Sequence, residues 1–100
     1  MTVYVDLLPK GWGKWSNGAH MLGSDLEELH AMAAKLGLKR EWFQDVASFA
    51  HYDLTASKRK LAVEAGAVEI ELGELPPDVL MRRSGGGYEK RGDRLARRRM

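Results

Sequence analysis

Three histidines and two aspartates have the side-chain types that proton transfer needs. His20 follows Trp15 and Ser16 in a Gly-rich stretch, His30 follows Glu27 and Glu28, and His51 opens His51-Tyr52-Asp53. Imidazole titrates near neutrality and is also the commonest metal ligand. His51 and Asp53, two apart, share one face of an extended segment, so the carboxylate can orient the ring. Asp53 can equally cap the helix that follows. Asp6 stands where a strand should end, placed for acid–base work or for bonding loop amides. His30 lies at the flank of a helical apolar stripe, where a histidine bonded to a neighbour is the plain alternative. His20, His30, His51, Asp6 and Asp53 are thus the candidate catalytic set.

Those five are enough donors for a metal, which needs three or four in defined geometry. No His-x-x-x-His pair is present, nor a duplicated Glu-x-x-His pair, and the sequence points to metal-free chemistry with no cofactor. The chain has no cysteine, which excludes disulfides, thiolate zinc sites and thiol nucleophiles and fits a cytoplasmic location.

The candidate ligand-binding residues are Trp12, Trp15, Ser16, Tyr52, Lys58 and Arg59. The two tryptophans offer flat faces to a base, though such residues also anchor small cores. Lys58, Arg59 and Lys60 open a helix, where positive charge opposes the helix dipole unless an anion docks there. A solvated face is the simpler account. Gly11, Gly13 and Gly18 let backbone approach a ligand, and Lys10 and Lys14 add charge. Gly-Trp-Gly-Lys-Trp lacks the spacing of a Walker loop or a dinucleotide fingerprint.

The elements that must position these groups read as follows. Residues 2–8 alternate and form a strand stopped by Pro9. Residues 9–23 form a long loop. Ser24-Asp25-Leu26-Glu27 is a capping box, opening a helix with Leu26, Leu29, Ala33 and Leu36 inward and Gly37 at its stop. Residues 41–44 and 51–54 are short extended pieces. Thr55 caps a helix running to about Ala65, Gly66 ends it, and residues 67–72 alternate as a last strand. Residues 78–81 add a helical turn after Pro76-Pro77.

This is a small two-layer α/β domain, strand-helix-(strand)-strand-helix-strand. It is ferredoxin-like if both short pieces pair, and a three-stranded parallel sheet if one does. In open parallel sheets ligands bind beyond the carboxyl ends of the strands; Asp6, the 9–23 loop, Asp53 and Thr55 would gather there.

The domain spans residues 1–81, and residues 82–100 read as a flexible Gly/Arg-rich tail. The formal net charge of +2 divides unevenly, with eight Arg or Lys against two acids beyond residue 81 and eight against twelve before it. The domain is therefore acidic, and the basic arm Arg94-Leu95-Ala96-Arg97-Arg98-Arg99 offers weak nucleic-acid contact by counterion release. No apolar run approaches the roughly 18 residues of a membrane span.

Residues 2–6 (Thr-Val-Tyr-Val-Asp), Glu28-Leu29-His30, Leu36-Gly37-Leu38-Lys39-Arg40-Glu41-Trp42-Phe43-Gln44, His51-Tyr52-Asp53-Leu54-Thr55, Lys58-Arg59, Ala62-Val63 and Gly66-Ala67-Val68 occur together. Over residues 2–72 the chain resembles a family of short bacterial and phage proteins, domain of unknown function 4031. The resemblance implies a stand-alone, often phage-borne domain and brings no established reaction. The family pattern has a histidine close behind the loop tryptophan; here Asn17-Gly18-Ala19 separate Ser16 from His20.

The residues themselves lead to an expectation of a protein that binds and cleaves a small nucleotide-type ligand at a phosphodiester bond, by histidine acid–base chemistry, as a phage protein acting on host signalling nucleotides would. The alternatives are a non-catalytic protein that sequesters such a ligand, and a nucleic-acid accessory protein acting through the arm. A homodimer, the commonest closed symmetry, is compatible with each.

Overall fold

Val3-Tyr4-Val5 has the β-branched and aromatic content of a strand and forms β1 (Val3–Val5). The chain then loops out and returns as β2 (Ala19–Gly23), antiparallel to β1 with Val5 opposite Met21. The structure is a computed structural model describing residues 2–45, 49–83 and 85–98. Asp6 N–H donates to His20 O, and Leu8 N–H to Gly18 O, so the ladder runs past the end of β1. The long loop is therefore shorter than its sequence suggests. Its tip is a 3-10 turn over Gly13–Trp15, with Asn17 at a φ of 61°.

Helix α1 (Leu26–Lys35) begins one residue later than a Ser24 cap implies. Asp25 is the cap and accepts from Glu27 N–H at 2.9 Å. The Ser24 hydroxyl is committed to β1, accepting from Thr2 N–H at 2.8 Å. Leu29, Ala33 and Leu36 are buried, and Gly37, at a φ of 80°, ends the helix in the left-handed region that glycine tolerates.

Residues 40–42 form a 3-10 turn rather than a strand, and Gln44 makes a single bridge with His51. β3 (Tyr52–Leu54) pairs antiparallel with β2, and Thr55 caps α2 (Ala56–Glu64) as its sequence requires. β4 (Val68–Glu69) runs parallel to β1.

The sheet order is β3-β2-β1-β4, so the unit β3-α2-β4 joins strands that both run parallel to β1. A strand before α1 and two antiparallel pairings replace both the ferredoxin-like order and the three-stranded parallel sheet. The α/β class holds.

Strand alternation divides the sheet into two faces. Val3, Val5, Ala19, Met21, Tyr52 and Leu54 face Leu29, Ala33, Leu36 and Ala62 of the two helices in one core. Each fully buried aliphatic side chain there contributes about 1.5–3 kcal/mol. Tyr4, Asp6, His20, Leu22, His51 and Asp53 belong to the other face.

The C-terminal residues, expected to be a flexible tail, form a hairpin of β5 (Leu80–Arg82) and β6 (Tyr88–Lys90), followed by α3 (Arg91–Arg98). Of residues 78–81, Leu80 and Met81 belong to β5, and a single turn at 77–78 precedes them in place of a helical turn. Side-chain bonds hold the unit to the domain. The Tyr4 hydroxyl donates to Asp78 at 2.8 Å and the Tyr88 hydroxyl to Asp45 at 2.6 Å, while Val79 is fully buried.

Of the basic arm, Arg94 donates to Glu89 and to Arg82 O, and Arg99 lies outside the described residues. Among the described residues no helix is long and apolar enough to cross a membrane.

Candidate functional site

Register builds the site. His20 on β2 lies directly opposite Asp53 on β3, and Asp6 continues β1 one residue past the Val5–Met21 pair. Asp6, His20 and Asp53 therefore form a row across three strands on the face turned from the helices. His51, two residues before Asp53, joins that row from the same face. Asp6 lies just past the carboxyl end of β1 and Asp53 near that of β3, while His51 stands just before β3 begins.

The hydrogen bonds fix both imidazoles. The buried Asp6 carboxylate accepts from His20 N–H at 2.6 Å and faces His20 Nδ1 at 2.8 Å. His51 Nδ1 faces the Phe49 carbonyl at 3.1 Å. A carboxylate and a carbonyl only accept, so Nδ1 carries the proton in each ring and each Nε2 presents a lone pair when neutral. Both Nε2 atoms look toward one oxygen: Asp53 Oδ1 lies 3.5 Å from His51 Nε2 and 3.9 Å from His20 Nε2. The other Asp53 oxygen accepts from the Gln44 amide. The two rings stand edge to face at 5.2 Å, with Phe49 against both.

Asp53 also lines a hollow of about 370 Å³, whose walls are Trp15, Trp42, Leu38 and Thr55, with Lys14 and Lys58 at its edge. Hollows of about 410 and 530 Å³ lie elsewhere; no imidazole lines any of the three, and Asp53 alone links the row to the aromatic hollow.

The sequence-predicted residues thus separate. Asp6, His20, His51, Asp53 and Trp15 come together. His30 does not: its Nδ1 bonds the Tyr52 hydroxyl at 2.8 Å and its ring packs edge-on against Phe43, beside the helix-side core. Tyr52 is buried, and His30 is half-buried beside it. Trp12 is exposed and does not line the hollow, and the Ser16 hydroxyl accepts from Trp12 N–H, bracing the loop.

Lys58 reaches the hollow, yet its ammonium donates to Leu36 O at 2.6 Å and caps the end of α1. Arg59 donates to Asp6 O and to Glu69, fastening α2 to the sheet. Their charge at the start of α2 is matched by protein acceptors. Gln44, Phe49 and Trp42 had no predicted role. The Gln44 side chain and the Phe49 carbonyl act through position alone, and only the exposed apolar bulk of Trp42 gives a sequence signal.

Two histidines are displaced in opposite directions. The Asp6 hydrogen bond raises His20 above its ordinary 6.5 against the opposing effect of burial. Burial, aided by Arg40, lowers His30 below 6.5. His20 therefore stabilises the fold fully below about 6.5 and loses that contribution as pH rises through its raised value. His30 acts oppositely: its contribution is present above about 6.5 and is lost as pH falls through its lowered value. In chelator-treated protein, an imidazole NMR titration is expected to place His30 below 6.5 and His20 above it. Equal midpoints would contradict the Asp6–His20 geometry.

Comparison with known proteins supplies a family. No curated protein and no solved structure matches the chain. The family model described as protein of unknown function (DUF4031) matches residues 3–82, which include every residue of the row and of the hollow. The chain belongs to the DUF4031 family.

Proposed function

We propose that the hollow and its His20–His51–Asp53 corner bind and cleave a small nucleotide-type ligand at a phosphodiester bond. The observation carrying this reading is the convergence of two tautomer-fixed imidazoles on Asp53, a carboxylate that also lines an aromatic hollow. Trp15 and Trp42 provide faces for a base. Lys14, whose ammonium sits 4.7 Å over the Trp15 ring, brings positive charge for phosphate. His51 takes the proton of the attacking water or hydroxyl. His20, kept more basic by Asp6, returns a proton to the leaving oxygen.

The test is incubation with a panel of cyclic mononucleotides and cyclic dinucleotides, followed by chromatography of products. Conversion by the native chain and a loss of about 10²–10⁴-fold in His51→Ala are expected. No turnover of any member, or unchanged turnover in His51→Ala, contradicts the catalytic reading.

A second reading, retention without turnover, has its support in the apolar walls contributed by Trp15, Leu38 and Trp42. Calorimetry with recovery of intact ligand after denaturation separates the two.

A further inference from the structure

The gaps in the corner are the wrong size for hydrogen bonds. Nitrogen–oxygen hydrogen bonds measure about 2.7–3.2 Å, whereas Asp53 Oδ1 stands 3.5 and 3.9 Å from the two Nε2 atoms. Among the described residues, three acceptor-type atoms face one another within 4.8 Å without a proton-bearing partner of normal length between them. In a tetrahedral zinc site, bonds of about 2.0–2.1 Å set neighbouring donor atoms about 3.3–3.4 Å apart. An octahedral site would bring them to about 3.0 Å, further from the observed spacing. Two of the three separations, 3.5 and 3.9 Å, approach the tetrahedral value, and all three atoms lie within 4.8 Å, so the side chains would draw inward on binding.

Its surroundings match the same chemistry. Ligating histidines commonly donate the other ring N–H to a carboxylate or a backbone carbonyl, which orients the ring and raises its basicity. Asp6 does this for His20 and Phe49 O for His51. The remaining Asp53 oxygen is held by Gln44. Strand period places His51 beside Asp53, and sheet register brings His20 to them from 31 residues away, so the local spacings of helical zinc motifs are not needed. Two nitrogens and one carboxylate suit zinc-class transition metals over calcium or magnesium.

We propose that His20 Nε2, His51 Nε2 and Asp53 Oδ1 bind one divalent ion of the zinc class. Three protein donors leave a fourth position for water, the pattern of a hydrolytic site and not of a closed structural one. With the ion in place, both imidazoles would be ligands and unavailable for proton transfer, and the ion would instead supply a bound water made more acidic at the open position. This inference rests on the corner's geometry alone; ion binding without nucleotide turnover leaves it standing and overturns only the hydrolase reading.

The test uses full-length, tag-free protein treated with chelator and dialysed. Zinc is titrated calorimetrically, and cobalt(II) is followed by its visible absorption. One equivalent is expected, with intense tetrahedral cobalt bands. His20→Ala, His51→Ala and Asp53→Ala should each weaken binding by about 100-fold or more, and His30→Ala by less than about threefold. Circular dichroism checks folding, and His51→Gln and Asp53→Asn replace any alanine variant that does not fold. No binding to the folded native chain overturns the proposal. So does binding retained when His51 and Asp53 are replaced, or lost equally in His30→Ala.

Discussion

Gly18→Ala is expected to cost about 3 kcal/mol or more and to dismantle the site together with the fold. A Cβ at Gly18 would lie 2.0 Å from Leu54 O and 2.9 Å from Trp15 O. Both obstacles are backbone, so no side-chain rotation relieves them. Gly18 also accepts from Leu8 N–H and donates to Trp15 O, which ties it to both sides of the loop. The strain therefore falls on the Ala19–Leu54 pair, one residue from the His20–Asp53 pair that sets the corner. Total stabilities of small domains are about 5–15 kcal/mol, so such a loss is a large share. Urea unfolding should show a much lower midpoint. An unfolding free energy within about 0.5 kcal/mol of the native chain's would mean that β2 and β3 do not approach as described.

Asp6→Asn should have the largest effect on the site for the smallest change in shape. The Asp6 carboxylate serves two donors, His20 N–H and His20 Nδ1, from a buried position. An asparagine has one accepting oxygen and must turn its amide hydrogens toward the other partner. If the oxygen keeps the backbone N–H, the amide faces Nδ1 and favours the tautomer with the proton on Nε2. That lone pair is the one needed for a base or a ligand. Ion affinity is expected to fall about 10–100-fold, and the His20 titration should move down in pH. The lost charged hydrogen bond should cost about 1–3 kcal/mol in unfolding experiments. Unaltered affinity and an unmoved His20 titration would remove Asp6 from the account.

Some of this was legible in the residues and some was not. β1 and the two helices follow from alternation, 3.6-residue periodicity, the Thr55 cap and the Gly37 stop. β2 escaped because it does not alternate: Ala19, Met21, Leu22 and Gly23 are all buried, on two faces, behind a Gly-rich loop. Missing that strand hid the mechanism of convergence, since His20 meets Asp53 only through β2–β3 register. The His51–Asp53 spacing was readable because a strand period of two needs no tertiary knowledge.

His30 was a reasonable candidate by type, but which face of the sheet α1 covers is decided by packing. Lys58 and Arg59 suggested an anion until their acceptors emerged as Leu36 O, Asp6 O and Glu69. The hairpin and α3 were hidden by composition. Few apolar residues mark them, and Val79 together with the Tyr4–Asp78 and Tyr88–Asp45 bonds supplies their hold on the domain.

His20 and His51 aim their Nε2 atoms at one shared point, while His30 packs against Phe43 and Tyr52 on the other face. Long-range nitrogen–proton NMR of the imidazoles, before and after one equivalent of zinc, reads this directly. Both rings should be in the Nδ1–H tautomer, with the Nε2 signals of His20 and His51 shifting together and His30 unchanged. A shift confined to one of the pair, or a matching shift at His30, would contradict that arrangement.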